Sequence, residues 1–239
     1  MHAEGLTIGS IPAILWGKTS DKGFIHVHGK MSRKEYAEGF AMIAEEQGFQ
    51  TLSFDLPEHG DRVGGPERCD VWNGIRDLNA IADAAFSRWH RVSLFACSLG
   101  AYFSLQAIAD RPLERCLFQS PIVDMKWLVE AMMRASGVTE DMLREQGEIP
   151  TPIDALRWDY YRYILAHPVT RWPFRTSILY GALDTMQPRE AIDRFCERFG
   201  AKLTVFPRSR HAFMEPGDQA VVEGWMRRAL SGANDGGRK

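Results

Sequence analysis

Short apolar runs alternate with helix-length amphipathic stretches along nearly all of this 239-residue chain, and that alternation restricts its fold more than any other feature. The runs GFIHVHG (23–29), FQTLSFDLP (49–57), RVSLFAC (91–97), RCLFQS (115–120), TSILYGA (176–182) and AKLTVFP (201–207) read as strands. Between them the apolar period becomes helical. Tyr36, Phe40, Ile43 and Ala44 share one face of a helix that a Ser32/Glu35 capping box starts and Gly48 stops. Ile75, Leu78, Ala82, Phe86 and Trp89 share a face of a second helix, and a third carries Leu105 and Ile108. Strands separated by helices predict an α/β protein with a doubly wound, mostly parallel central sheet covered on both faces.

The N-terminal LTIGSIPAILWG (6–17) reads as an antiparallel hairpin at the sheet edge. No clear strand lies between the runs at 115–120 and 176–182. Pro150, Pro152, Pro168 and Pro173 punctuate that stretch, which is dense in Met and aromatic residues. It is expected to be a helical cap inserted over about 121–173. Residues 1–230 then make one domain, and the polar tail SGANDGGRK (231–239) is expected to be disordered.

The 29 basic and 31 acidic residues nearly cancel, to a net charge of −2, so nothing favours nucleic acid or an anionic membrane. No apolar run approaches the roughly 18 residues of a membrane span. The start, MHAEGLTIGS, lacks the basic-then-apolar pattern of a secretory signal. Cys69, Cys97, Cys116 and Cys196 are scattered without metal-type spacing, which predicts a reduced, cytoplasmic setting. With no zinc-type His/Cys spacing and no phosphate-cradling Gly loop, no metal and no cofactor are expected.

In LFACSLGAY (94–102) a cysteine and a serine stand side by side. A nucleophile at a tight strand-to-helix turn needs small residues two positions before and after it, because the two backbones approach closely there. Around Ser98 these are Ala96 and Gly100; around Cys97 they are Phe95 and Leu99, which do not fit. A serine hydroxyl needs a general base, and the base needs a carboxylate to orient it. At strand ends later in the chain stand Asp184, after TSILYGALD, and His211, after AKLTVFPRSRH. Asp124, past RCLFQSP, is the rival acid.

Four pieces, HVHGK, FDLPEHGDR, ACSLGA and the pair LYGALD with SRHAF, resemble the α/β-hydrolase superfamily in order and spacing from about Gly23 to Leu230. The resemblance implies an α/β-hydrolase fold with Ser98 as nucleophile, His211 as base and Asp184 as acid. It implies an oxyanion hole from the backbone N–H groups of Lys30, after His28-Gly29, and Leu99. It gives His28, Asp55 and His59 structural roles, with Glu58 where the family pattern D-x-P-G-H-G has glycine. The expected activity is a carboxylesterase-like serine hydrolase of a small-molecule ester, working through an acyl-enzyme. Alternatives on the same residues are a thioester, amide or peptide, lactone or C–C substrate, or a ligand-binding relative without turnover. Trp127, Met132 and Trp158 of the cap are the candidate substrate-binding side chains.

Overall fold

A computed structural model describes residues 1–152 and 154–231. In chain order its elements are β1 (Ala3–Ile8), β2 (Ile11–Trp16), β3 (Lys22–Val27), α1 (Glu38–Glu46), β4 (Gln50–Phe54), α2 (Val71–Arg88), β5 (Arg91–Cys97) and α3 (Leu99–Ala107). β6 (Cys116–Gln119), α4 (Met125–Ala135), α5 (Glu140–Gln146), β7 (Glu148–Ile149), β8 (Leu156–Arg157) and α6 (Trp158–Ala166) follow. The chain then forms β9 (Thr176–Gly181), α7 (Arg189–Phe199), β10 (Lys202–Phe206) and α8 (Asp218–Ser231).

One sheet runs in the order β1-β2-β4-β3-β5-β6-β9-β10. β1 and β2 form the antiparallel hairpin at its edge, β2 also pairs antiparallel with β4, and all remaining pairs are parallel. Alternate residues of each strand enter opposite cores. Phe24, Phe95, Leu117 and Leu179 pack with Phe40 and Ile43 of α1 and Trp225 and Met226 of α8. Their strand neighbours Ile25, Leu94, Phe118 and Ile178 pack instead with Leu78 of α2, Phe103 of α3 and Ile192 of α7. Each such side chain contributes about 1.5–3 kcal/mol by leaving water. Because β3, β5, β6, β9 and β10 run the same way, the loops leaving their C-terminal ends converge at one edge of the sheet.

The chain departs from its sequence pattern in three places. Ser32 and Glu35 form no capping box: 34–37 is a single 3₁₀ turn, α1 starts at Glu38, and neither N-cap side chain bonds the backbone. The Lys34 amide is taken instead by Asp55 Oδ1 at 2.9 Å, a partner distant in sequence. Tyr36, in that turn rather than on α1, is 64% exposed. The stretch between β6 and β9 carries α4, α5 and α6 and, unexpectedly, the short β7–β8 hairpin, paired Glu148 to Arg157 and Ile149 to Leu156. Of the expected tail, Ser231 closes α8 and 232–239 lie outside the described residues. No described helix is long and apolar enough to cross a membrane.

Candidate active site

Ser98 is the single residue between β5 and α3, with φ 48° and ψ −118°. A non-glycine residue held there costs on the order of 1–3 kcal/mol and must be fixed by its surroundings. Its N–H donates to Gln119 O at 3.2 Å, and its carbonyl accepts from Ala101 N at 3.0 Å and Ile122 N at 3.2 Å. The small flanks have a visible cause. A Cβ on Gly100 would come 2.4 Å from His28 O and 2.8 Å from Val27 O, and Ala96 has no exposed surface. Cys97 keeps some exposed surface on the α1–α8 side of the sheet. Its apolar surroundings push the thiol up to about 12, so it stays protonated near neutral pH and is no rival nucleophile.

Ser98 Oγ lies 2.8 Å from His211 Nε2, and His211 Nδ1 lies 2.7 Å from Asp184 Oδ2. A carboxylate only accepts, so this network assigns the imidazole proton to Nδ1 and leaves Nε2 to accept from the serine hydroxyl. The Asp184 carboxylate is held on its other oxygen by the amides of Met186 at 2.7 Å and Gln187 at 3.2 Å. The loops after β9 and β10 meet closely: a Cβ on Gly181 would lie 2.3 Å from Ser209 O, and Leu183 N donates to Ser209 O at 3.0 Å. Asp124 does something else. It caps α4 by accepting from Trp127 N at 2.9 Å and stands 3.6 Å from Arg194.

Two positioning residues escape sequence reasoning. Ser120, with φ 46°, donates its hydroxyl to His211 O at 2.6 Å and so holds the histidine's backbone. The Gln187 side chain accepts from the amides of Val123 and Asp124 and donates to Asp124 O, tying the β6 loop to the Asp184 turn. Only the position of Ser120 at the end of a strand run hints at its role; nothing local marks Gln187.

The Lys30 loop is braced by two histidines. His28 Nε2 accepts from Leu56 N at 3.0 Å while Nδ1 bonds Gly29 O at 2.7 Å. His59 Nε2 accepts from Met31 N at 3.1 Å while Nδ1 bonds Pro57 O at 2.7 Å. Burial lowers the His28 pKa to about 4, so its ring is neutral and Nε2 is free to accept. Gly29 lies against the nucleophile, since a Cβ there would be 3.0 Å from Ser98 Cβ. Leu99 opens α3, so its N–H has no partner within the helix. Glu58 adopts φ 63°, the left-handed region that favours glycine, and its carboxylate accepts from Cys69 N at 2.7 Å.

A cavity of about 100 Å³ opens beside Ser98, Leu99 and Lys30. Its wall comes from Met125, Leu128, Val129 and Met132 of α4, with Tyr160 of α6 and Met186 after β9. Met132 lines it; Trp127 and Trp158 do not. The reason is helical phase. Residues 125, 128, 129 and 132 are spaced i, i+3, i+4, i+7 and share a face, which Trp127 is turned away from. Trp158 packs its ring 6.1 Å from that of Tyr161, with Arg144 5.6 Å above it. Lys30 and Asp154 of the insertion both line the cavity, and their side chains form an ion pair. Among the described residues no group of three or more His, Cys, Asp or Glu is arranged to hold a metal ion.

No family model matches this sequence, and no curated protein does. Solved structures do match in fold. Est1E from Butyrivibrio proteoclasticus, with ferulic acid bound, is 17% identical, covers 96% of this chain and 98% of its own, and has a TM-score of 0.77. Alpha/beta hydrolase domain-containing protein 10 from mouse is 16% identical, covers 97% and 99%, and has a TM-score of 0.76. A monoacylglycerol lipase from Paleococcus ferrophilus is 17% identical, covers 93% and 98%, and has a TM-score of 0.69. This chain shares their fold.

Proposed function

We propose that this chain, an α/β-hydrolase by fold, is a serine hydrolase that cleaves a small-molecule carboxylic ester through an acyl-enzyme. One observation carries the reading: Ser98 Oγ, His211 and Asp184 form an unbroken hydrogen-bond chain, 2.8 Å and 2.7 Å long, that opens onto a mostly apolar cavity. In this reading Ser98 Oγ attacks the ester carbonyl carbon and passes its proton to His211 Nε2. Asp184 holds the ring and stabilises the imidazolium. Charge developing on the carbonyl oxygen faces the Lys30 and Leu99 N–H groups, a contribution typically worth about 3–4 kcal/mol per donor. As the C–O bond breaks, the leaving alkoxide takes the proton from Nε2. Water then repeats the cycle on the acyl group and restores Ser98.

Residues 121–173 act as the cap over this site and supply the apolar wall that holds the substrate chain. The monoacylglycerol lipase among the structural neighbours fits an ester substrate. The test is labelling by a fluorophosphonate probe together with turnover of p-nitrophenyl esters of graded acyl length. Wild type is expected to label at Ser98 and hydrolyse short esters, with both lost in Ser98→Ala and His211→Ala. A wild type that neither labels nor turns over any ester ends this reading.

A further inference from the structure

We infer that Met125 is a movable partition between the catalytic cavity and a second, chain-binding groove, and that it sets the length of alkyl chain the enzyme accepts. This rests on the ester-cleaving reading above. The cavity beside Ser98 measures only about 100 Å³, too little for a long chain. A groove of about 400 Å³ lies beyond it, between α4, α6 and α7. Met125 lines both, and no other residue does among the described residues.

The chemistry of the partition suits movement. Met125 is 5% exposed and packed on both sides, yet its unbranched thioether side chain has three rotatable bonds and rearranges at low cost. The neighbouring walls are stiffer: Ile122 and Val129 are β-branched, and Tyr160 is a planar ring. Val123, Ile164, Leu165, Val169 and Phe195 give the groove an apolar wall, while Asp124, Lys126, His167, Arg194 and Arg198 also line it. Leu165 stands 43% exposed there, a large aliphatic surface with little covering it. The occupant is the distal part of a linear, medium-length chain on the same ester whose carbonyl sits at Ser98. With Met125 turned aside, its terminal methylenes leave water by entering the groove.

Each methylene so buried adds up to about fourfold to kcat/KM. The experiment compares kcat/KM for C4 and C8 substrates in two series, p-nitrophenyl acyl esters and alkyl acetates, in wild type, Met125→Ala and Met125→Phe. Met125→Ala is expected to raise the C8:C4 ratio by at least about tenfold in one series, and Met125→Phe to lower it. Leu165→Trp, at an exposed position, obstructs the groove and is expected to abolish the gain when combined with Met125→Ala. Ratios within twofold of wild type in both Met125 variants and both series overturn the proposal. So does a gain that survives Leu165→Trp. A wild type inert toward every ester is a different failure, that of the esterase reading itself.

Discussion

Gly100 approaches His28 so closely that a Cβ on the glycine would stand 2.4 Å from the His28 carbonyl oxygen. The contact joins the first turn of α3 to the loop that carries Gly29 and Lys30. It makes the backbone beside Ser98 and the backbone beside Lys30 one packed unit. Gly100→Ala must therefore push the two apart, because the obstacle is main chain and has no rotamer to relax. Overpacking of this kind costs about 1–3 kcal/mol. The expected outcome is a lower melting temperature and a larger fall in ester turnover than in labelling of Ser98. An Ala variant with wild-type melting and turnover contradicts this close approach.

Asp184 and Asp124 separate cleanly. Asp184→Asn keeps the shape and the acceptor for the Met186 and Gln187 amides but presents His211 with an amide in place of a carboxylate. By analogy with serine hydrolases, kcat is expected to fall by about 10³–10⁴. Asp124→Asn retains a good N-cap, since asparagine caps as well as aspartate, and turnover is expected to stay within about threefold. Steady-state kinetics of the two variants decide it; the opposite ranking would make Asp124 the acid.

Acid sensitivity follows from two buried histidines. Burial lowers His28 to about 4 and His26 to about 3, against 6.5 for a free side chain. Between pH 6.5 and about 4 the unfolded chain therefore binds more protons than the folded one. Stability is full above that window and is lost as pH falls through it, by up to about 1.4 kcal/mol per pH unit for each histidine. His26 stacks on Phe95, with ring centroids 4.9 Å apart, and its buried Nδ1 has no partner. His26→Phe should keep the stacking surface and remove one of the two proton sites. Urea midpoints at pH 7.5 and 4.5 should lie closer together in the variant than in wild type; an equal separation refutes the assignment.

Asp55 holds the Lys34 turn from inside the protein. Its carboxylate accepts from Lys34 Nζ at 2.7 Å, Lys34 N at 2.9 Å and Asp61 N at 3.0 Å, and the residue has no exposed surface. Asp55→Ala leaves the Lys34 ammonium to Asp61 and Glu35 but strands the amides of Lys34 and Asp61, at about 1–3 kcal/mol for each buried donor left unpaired. Denaturant unfolding should show that loss. Asp61→Ala, which removes a carboxylate that is itself 70% exposed, should lose under about 1 kcal/mol.

The elements near Ser98 are legible in the sequence because their signals are local. β5 occupies the run RVSLFAC, and the small residues Ala96 and Gly100 stand within two positions of Ser98, although what Gly100 makes room for is the distant main chain of Val27 and His28. Hydrophobic period alone yields the parallel sheet, since each strand must bury both faces. The capping box fails for the opposite reason. Its pattern is present, but Asp55, some twenty positions on, takes the Lys34 amide, and α1 starts only at Glu38.

Tertiary structure alone decides what depends on separation and on helix rotation. Ser98 and His211 are 113 positions apart, and their 2.8 Å contact depends on how the loops after β5 and β10 meet. Ser120 holds the loop after β10 and Gln187 ties the loop after β6 to the turn after β9, each with a single side chain that carries no periodic signal. Cap composition announces a Met- and aromatic-rich surface, but the phase of α4 turns Met125 and Met132 toward Ser98 and Trp127 away. Composition and spacing thus specify which residue types are available, and the packing of distant segments selects the ones that face the cavity.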